Sequence, residues 1–262
     1  MIDDIPSKEK VYRITDTDIS MHSQDSFTRK LINPTYITKD DCQRSYAHSN
    51  LVKIIDKEPS TKSSVVNFEG SLNTTYVGGD KFELPFFDIK SDTFQKTEQD
   101  LLVYSKPLTD VIKRSSVRNI FRIEDKAFIN EIDVILEDTL QKVSGSYTNE
   151  GDFTALFDIF KQQKLKAATL LMSSGTYSKL VGDSDNGPCR IMSSIIVTDR
   201  NNLIRDNLIY AFAPQECLGK FFIHDDIELH IEKTRNIISW SASVTLGIGI
   251  SNINAIARLD LS

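Results

Sequence analysis

Residues 238–250 read Ile-Ser-Trp-Ser-Ala-Ser-Val-Thr-Leu-Gly-Ile-Gly-Ile, an alternation of apolar residues with small or polar ones. Successive side chains of a β-strand point to opposite faces of its sheet, so this pattern predicts one long strand with one buried face. Trp240, the only tryptophan in the sequence, falls on the apolar face. We therefore expect Trp240 to pack in the core and not to stack on a ligand.

A second alternating stretch precedes this strand, separated from it by Arg235 and Asn236. In that stretch Ile227, Leu229 and Ile231 alternate with charged or polar residues. Two strands joined by so short a turn pair antiparallel. The two stretches together predict a long antiparallel ribbon that acts as the main beam of the fold.

A helical pattern runs from Pro107 to Val143, with apolar residues mostly three or four positions apart. Pro107 suits a first helical turn and Gly145 suits a C-terminal stop. The pattern predicts one long helix, or two helices with a break near Glu124-Asp125. Adjacent helix positions do not converge on one point. We therefore expect these two carboxylates on a solvated face or in a salt bridge between subunits, not in an acid–base pair.

Shorter elements are predicted between the long helix and the ribbon. Asp152 is a candidate N-cap for a helix that continues to about residue 166 with its phenylalanines on one face. The remaining predictions are a buried strand at 167–172, a short helix at 175–180, a loop at 182–188, and strands at 195–197 and 208–212.

The N-terminal quarter is polar and shows no sustained periodicity. Residues 1–64 are predicted to be disordered or to form an extended arm laid across a neighbouring molecule. A long hairpin follows, with strand-like runs at 64–68 and 81–89 and turn residues Gly78-Gly79-Asp80 between them. Pro85 restricts the second of these strands to a sheet edge.

The composition limits the class of protein. The chain has 262 residues and a net charge of −6, which argues against a protein that works mainly by neutralising phosphates, although not against one that encloses nucleic acid. No apolar run of about 18 residues is present, so no membrane span is expected. Cys42, Cys189 and Cys217 are far apart and odd in number, which predicts free thiols in a reducing compartment.

No motif for catalysis, cofactor binding or metal binding is visible. His22 and His48 fall in the polar arm, and His224 and His230 are predicted to be surface residues. The run 78–81, Gly-Gly-Asp-Lys, lacks the length and the Lys-Ser/Thr ending of a phosphate-binding loop. The acidic loop at 183–187 lacks the glutamate that completes a calcium-binding loop. We expect no catalytic residue, no cofactor and no metal, and we do not expect an enzyme.

The order of these elements resembles the Hong Kong 97-type major capsid protein of tailed phages. Residues 76–87 are similar to the tip and return strand of that family's extended loop, 108–143 to its spine helix, and 166–180 to a recurring segment of its axial domain. The resemblance covers roughly residues 65–261. No single motif is diagnostic, because the family is defined by its fold more than by a signature.

The resemblance implies an α+β fold of this type, with an N-terminal arm, an extended β-hairpin loop, a long spine helix, a peripheral domain and an axial domain. The arm would be 1–64 and the extended loop 65–98. The peripheral domain would comprise 99–148 and 225–252, including the spine helix. The axial domain would comprise 149–224 and 253–262.

The same resemblance implies a major capsid protein that self-assembles, through hexamers and pentamers, into an icosahedral-type phage head in the virion. The shell would enclose double-stranded DNA without sequence-specific binding and would be assembled in the host cytoplasm. Implied partners are a separate scaffolding protein, a portal and a decoration protein, with no membrane. A covalent cross-link from Lys81 to Asn252 or Asn254 is not expected.

Three other readings of the sequence remain open. One is another virion structural protein, such as a tail or decoration component, which would differ in its copy number in the particle. An encapsulin-like nanocompartment shell protein would have the same fold and a similar length, and would enclose cargo proteins instead of DNA. A small α/β hydrolase or binding module belongs to a different class, and would need a cleft with convergent polar groups.

Overall fold

The computed structural model describes residues 10–13, 26–44, 51–56, 81–101, 108–137, 139–146, 150–181, 194–198 and 203–262. Several predictions lie outside these residues: the strand at 64–68, the turn at 78–80, the loop at 182–188, the side chain of Asp152, and His22, His48 and Cys189.

Helices and strands alternate irregularly along the chain, as in an α+β fold. The helices are α1 (Phe27–Leu31), α2 (Glu98–Leu101), α3 (Leu108–Glu137), α4 (Glu150–Gln162), α5 (Ser174–Val181) and α6 (Gln215–Leu218). The strands up to α3 are β1 (Lys10–Arg13), β2 (Pro34–Tyr36), β3 (Gln43–Arg44), β4 (Leu51–Asp56), β5 (Lys81–Pro85), β6 (Phe87–Lys90) and β7 (Phe94–Thr97). Those after it are β8 (Lys142–Gly145), β9 (Thr169–Ser173), β10 (Ile195–Thr198), β11 (Leu208–Phe212), β12 (Gly219–Thr234), β13 (Ile237–Ile250) and β14 (Ile256–Leu261).

Strands β12 and β13 form the predicted ribbon. They pair antiparallel along almost their whole length, with Ile231 opposite Trp240. Arg235 adopts a left-handed conformation (φ 58°) in the turn that joins them. Alternate residues of β13 are buried as predicted, and Trp240 is 2% exposed. The predictions of a long ribbon and of a core position for Trp240 are confirmed.

Four short strands extend this ribbon into a six-stranded sheet. On the β12 side, β1 pairs antiparallel and β2 pairs parallel. On the β13 side, β6 and β7 both pair antiparallel. Strands β1 and β2 lie within the range predicted as an arm, so part of that range belongs to the main sheet of its own subunit.

Helix α3 is a single helix of 30 residues that continues through Glu124 and Asp125 without a break. The predicted extension to Val143 is wrong, because residues 142–145 form β8, which pairs parallel with β14. Leu140, which fits the helical spacing, is 99% exposed. Backbone hydrogen bonds to β14 therefore override the apolar periodicity at this end of the helix.

The second half of the chain forms a five-stranded sheet in the order β10-β9-β11-β14-β8. The predicted strands near 167–172, 195–197 and 208–212 are confirmed. The helix predicted to reach residue 166 ends earlier, at Gln162. Lys164 is left-handed (φ 57°), and Leu165 N–H donates to the Phe160 carbonyl at 2.8 Å. This is the hydrogen-bond pattern that closes helix C-termini.

A third sheet holds the base of the extended hairpin, in the order β3-β4-β5. Strand β5 ends at Pro85 on the edge of this sheet, as the proline predicts. Its described partner is β4, with Val52 opposite Pro85. Strand β4 lies inside the range predicted as the arm. The rising strand of the hairpin therefore begins at least as early as Leu51.

One hydrophobic core joins α3 to the ribbon and to the five-stranded sheet. Phe128 of α3 stacks on Phe212 of β11, with ring centroids 6.1 Å apart. Phe128, Ile132 and Leu136 are each 0% exposed. The long helix thus contacts both halves of the fold through the same buried face.

Candidate assembly surfaces

Helix α1 is attached to α3 by a buried carboxylate. Asp125 Oδ1 accepts hydrogen bonds from Ser26 Oγ (2.6 Å), Thr28 Oγ1 (3.0 Å) and the Thr28 backbone N–H (3.1 Å). All three residues are fully buried. A charged group is tolerated in the interior only when donors surround it, and these three donors meet that need.

The neighbouring carboxylate, Glu124, binds the guanidinium of Arg29. Arg29 Nε lies 3.1 Å from Glu124 Oε1, and Nη2 lies 3.0 Å from Oε2. Arg29 Nη1 is also 3.6 Å from Asp226 Oδ1. Burial alone would lower the pKa of Arg29, but the charge and hydrogen bonds of Glu124, with Asp226, raise it above its usual value.

Two aromatic rings complete the pocket around Arg29. The guanidinium carbon lies 4.8 Å from the Phe121 ring centroid and 5.9 Å from that of Phe221. A cation over an aromatic face is stabilised by the ring quadrupole. The side chain of Arg29 is therefore held by the long helix and by the ribbon at once.

These contacts overturn the prediction for Glu124 and Asp125. Both side chains are 0% exposed and bind residues of their own chain, not solvent or another subunit. The missed signal was local: Ser26 caps α1, and Phe27 and Leu31, four residues apart, are both buried. Residues 26–32 thus belong to the subunit core and do not form a free arm.

The base of the extended hairpin packs directly on the ribbon. A Cβ atom at Gly247 or Gly249 would collide with the Leu84 side chain. Leu84 is 2% exposed. The small residues on the second face of β13 therefore have a specific role, which is to let the hairpin approach the sheet closely.

Polar contacts support the same junction. Thr245 Oγ1 donates to Asp88 Oδ1 at 2.7 Å. This hydrogen bond, assisted by Lys90, lowers the pKa of Asp88 despite an opposing contribution from burial. The hairpin base is thus fixed by apolar packing at Leu84 and by hydrogen bonds at Asp88.

His224 lies beside this junction. Its side chain is only 5% exposed, so the prediction of a surface position is wrong for this residue. Nδ1 is 2.8 Å from Asp225 Oδ2, and the ring meets Phe86 edge-on with centroids 6.2 Å apart. His230 is half-buried, with Nε2 3.3 Å from Ser243 Oγ.

A polar network joins α3 to the five-stranded sheet. Tyr210 Oη donates to Asp133 Oδ1 at 2.8 Å, and Arg258 Nη1 donates to the same oxygen at 3.1 Å. Arg258 also binds both carboxylate oxygens of Asp260, at 2.6 and 2.9 Å. Burial, followed by the charge of Asp133, raises the pKa of Tyr210 far above its usual value. These polar groups satisfy one another across a structural junction.

The cysteines and asparagines considered in the sequence analysis do not come together in one site. Cys42 and Cys217 are free and half-buried, and burial raises the pKa of the Cys42 thiol. Asn252 caps a short 3₁₀ helix, and Asn254 Oδ1 accepts a hydrogen bond from Gln141 at 3.0 Å. Within the described ranges, no group of three histidine, cysteine or carboxylate side chains could hold a metal ion. No described helix is long and apolar enough to cross a membrane.

Several large apolar side chains are exposed. Leu140 is almost fully exposed, and Val134 is 63% exposed near the end of α3. Phe94, Val111 and Ile123 contribute to a cleft of about 560 Å³ between α3 and the β6–β7 connection. Exposed apolar groups that line a concave surface are typical of contacts with other molecules.

A long helix that packs on a β-ribbon and on a separate five-stranded sheet, with a hairpin base on the ribbon, is the arrangement of the Hong Kong 97-type capsid fold. This is the fold class that the resemblance implied, and solved structures confirm it. No protein-family model matches the chain, and no curated protein matches it by sequence.

Three solved structures illustrate the likeness. A chain from Mycobacterium phage Adephagia has a TM-score of 0.66 and 11% identity, over 96% of this chain and 99% of that one. A virus-like particle from Pyrococcus furiosus has a TM-score of 0.59 and 17% identity, over 92% of this chain and 95% of that one. The capsid of an empty GTA particle has a TM-score of 0.60 and 14% identity, over 90% of each chain. At these identities the likeness establishes the fold.

Proposed function

We propose that the chain is a major capsid protein, which self-assembles into a closed phage head that encloses double-stranded DNA. The main support for this proposal is that solved phage and capsid structures match this chain over nearly its whole length. The fold matches a chain from Mycobacterium phage Adephagia over 96% of this chain, and the capsid of an empty GTA particle over 90% of it. A shell subunit contacts neighbours on several sides, so a fold shared over nearly the whole chain supports this proposal.

The contacts within the subunit support the same proposal. The best-defined polar groups of the chain, around Arg29 and Arg258, bind one another and fix the long helix to its surroundings. Such networks stabilise a rigid building block. In the proposed shell, work is done by contacts between many copies in hexamers and pentamers, and no covalent chemistry is needed.

The proposal also assigns a role in the shell to each part of the subunit. The extended loop, 65–98, and the parts of the predicted arm, 1–64, that lie outside strands β1 to β4 and the anchored residues 26–32 contact neighbouring subunits. Residues 99–148 and 225–252, with α3 and most of the ribbon, form the peripheral domain, and residues 149–224 and 253–262 form the axial domain. Strand β8 of the peripheral range pairs with the sheet of the axial domain. A separate scaffolding protein, a portal and a decoration protein are the proposed partners, and the virion, assembled in the host cytoplasm, is the proposed location.

A cellular nanocompartment shell is the second candidate. The likeness to a virus-like particle from Pyrococcus furiosus favours it, because that particle comes from a cellular organism and has the same fold over 92% of this chain. The two candidates differ in their contents: a phage head holds DNA, whereas a nanocompartment holds protein cargo.

Purified particles separate the two candidates. The full chain would be produced in its host or together with its neighbouring genes, and the assemblies would be treated with nuclease and sedimented. Nuclease-protected DNA in filled shells supports the phage head. Shells that consistently contain one co-purifying protein and no nucleic acid would support the nanocompartment. A protein that forms no shell and has an enzymatic activity would overturn both shell candidates.

A further inference from the structure

The exposed face of α3 carries a line of four positive charges. Arg114, Arg118, Arg122 and Lys126 are each exposed and are spaced four residues apart. We call these four residues the basic stripe. Four residues advance about 6 Å along a helix, so the stripe extends over about 18 Å. The opposite face of the same helix is buried in the core.

No negative charge interrupts the basic stripe on the helix surface. Between Val111 and Asn130 the acidic residues of α3 are Glu124 and Asp125, and both are fully buried and bound by residues of the 26–32 segment. The exposed carboxylate of Asp110 lies one turn before Arg114, beyond the N-terminal end of the stripe. None of the four cations makes an ion pair within the part of the chain that the structure describes. The stripe is therefore a local basic surface on a chain whose net charge is −6.

The spacing of the stripe does not serve the helix itself. Like charges four residues apart repel each other and destabilise an isolated helix. The stripe contains three such pairs in succession. An ordinary solvated face would alternate signs, as the exposed pair Lys161–Asp158 does on α4. This arrangement therefore favours a ligand that is itself an extended array of negative charges.

Hydrogen-bond donors lie beside the cations. The cleft next to the stripe is lined by Lys90, Ser115, Asn119 and Arg122, together with apolar groups and Asp92. Serine, asparagine, lysine and arginine side chains are the groups that most often contact phosphate oxygens. Duplex DNA presents one phosphate per about 1.7 Å of axis, or about ten over the length of the stripe.

We propose that the basic stripe binds the phosphate backbone of nucleic acid inside the shell, without reading its sequence. The inference rests on the proposed function, since it requires α3 to face the interior. It also changes the expectation drawn from net charge: an acidic subunit presents a narrow basic surface to the packaged DNA. Binding by counterion release at a few phosphates per subunit is weak, but it is repeated over every copy in the shell.

The test compares two variants with the same net charge. The stripe variant carries Arg114→Gln, Arg118→Gln, Arg122→Gln and Lys126→Gln. The control variant carries Lys161→Gln, Lys164→Gln, Lys166→Gln and Lys220→Gln, all at exposed positions. Each variant loses four positive charges, from −6 to −10 (−6 − 4 = −10). Binding of the unassembled full-length chain to a duplex of about 30 bp is measured by fluorescence anisotropy across a salt titration.

Wild type and control variant should bind the duplex, with a slope of log K against log salt of about −3.6 for four phosphate contacts. The stripe variant should lose about tenfold or more in affinity at low salt, and its slope should approach zero. The single substitutions Arg118→Gln and Arg122→Gln should each reduce the slope by about one, which keeps the test valid if the fourfold variant does not fold.

Three results would overturn the inference: no measurable binding by wild type, equal loss in the stripe and control variants, or tighter stripe-dependent binding to polyglutamate than to DNA. The last would assign the stripe to an acidic protein. Electron micrographs of the same preparations separate this inference from the proposed function. Shells without stripe-dependent DNA binding contradict only the inference, whereas the absence of shells from wild type contradicts the proposed function.

Discussion

Arg29 and Glu124, 95 residues apart in sequence, form a two-pronged ion pair between α1 and α3, with hydrogen bonds of 3.1 and 3.0 Å. The Glu124 side chain is 0% exposed and that of Arg29 is 12% exposed. The pair makes residues 26–32 an integral part of the subunit. The backbone of this segment is therefore fixed to its own subunit and is not free to extend across a neighbour.

Removing one partner of this pair should be strongly destabilising. Glu124→Ala leaves the buried guanidinium of Arg29 with only Asp226 at 3.6 Å, and a buried pair broken in this way typically costs about 3–5 kcal/mol. Chemical denaturation of the unassembled chain measures the loss. The matched control is Asp158→Ala, which breaks the exposed pair with Lys161 and should change stability by less than about 1 kcal/mol. Equal effects of the two substitutions would show that α1 is not anchored by Glu124.

Gly247 should not tolerate a side chain. Gly247→Ala places a methyl group against Leu84 and forces the hairpin base away from β13. Overpacking of this kind costs about 1–3 kcal/mol. The double variant Gly247→Ala/Leu84→Ala should cost less than the sum of the two single changes, because the residues are in contact. Denaturation midpoints of the four proteins measure the coupling.

Ser241→Ala is the control for that cycle, since Ser241 lies on the same face of β13 away from Leu84. It should leave stability nearly unchanged. Strict additivity of Gly247→Ala and Leu84→Ala would contradict the close packing of the hairpin on the ribbon.

Glu131 should make stability depend on pH. Burial raises its pKa above 4.5 in the fold, although a weak hydrogen bond from Ile250 N–H opposes the shift. As pH rises, the unfolded chain loses this proton first, so the ionised side chain destabilises the fold above about pH 4.5. Glu131→Gln retains an acceptor for Ile250 and should therefore raise the melting temperature at neutral pH.

The gain from Glu131→Gln should shrink as the pH falls below 4.5, because the glutamate is then protonated in both states. Thermal melts at several pH values measure this gain in melting temperature. Glu216→Gln is the control, because it removes one exposed carboxylate. A lower melting temperature for Glu131→Gln at neutral pH would contradict the assigned direction of the pKa.

Tyr210→Phe should weaken the junction between α3 and the five-stranded sheet. The substitution removes the hydroxyl that donates to Asp133 at 2.8 Å, and the loss should be about 0.5–1.5 kcal/mol. Tyr177→Phe is the control at a half-buried tyrosine on α5. Hydrogen exchange should report faster opening of β11 in the Tyr210 variant only. Unchanged stability and exchange would mean that Arg258 alone maintains the junction.

Periodicity in the sequence predicted the parts of the fold that depend on local pattern. The alternation around Trp240 gave β13 correctly, and the face shared by Phe153 and Phe160 gave α4. The pattern at Leu140 and Val143 misled, because strand pairing with β14 is a non-local effect. The hairpin partner β4 was missed for the same reason: its pairing with β5 spans residues that are distant in sequence.

The polar contacts between residues 26–32 and α3 could not be predicted from the sequence. The sequence alone predicts exposed side chains for Glu124 and Asp125, because carboxylates are seldom buried without partners. Their partners, Ser26, Thr28 and Arg29, lie almost one hundred residues away. The basic stripe, by contrast, is visible in the spacing of its four cations. It becomes informative only when the structure shows that the intervening carboxylates face inward.

Electron cryomicroscopy of the full-length chain, alone and co-produced with the scaffolding protein proposed as its partner, tests the central claim most directly. We predict closed shells of uniform size in which every subunit has the fold described above, with residues 26–32 bound to α3 of the same chain. Stable monomers or small oligomers under both conditions would contradict the claim that this chain builds a shell.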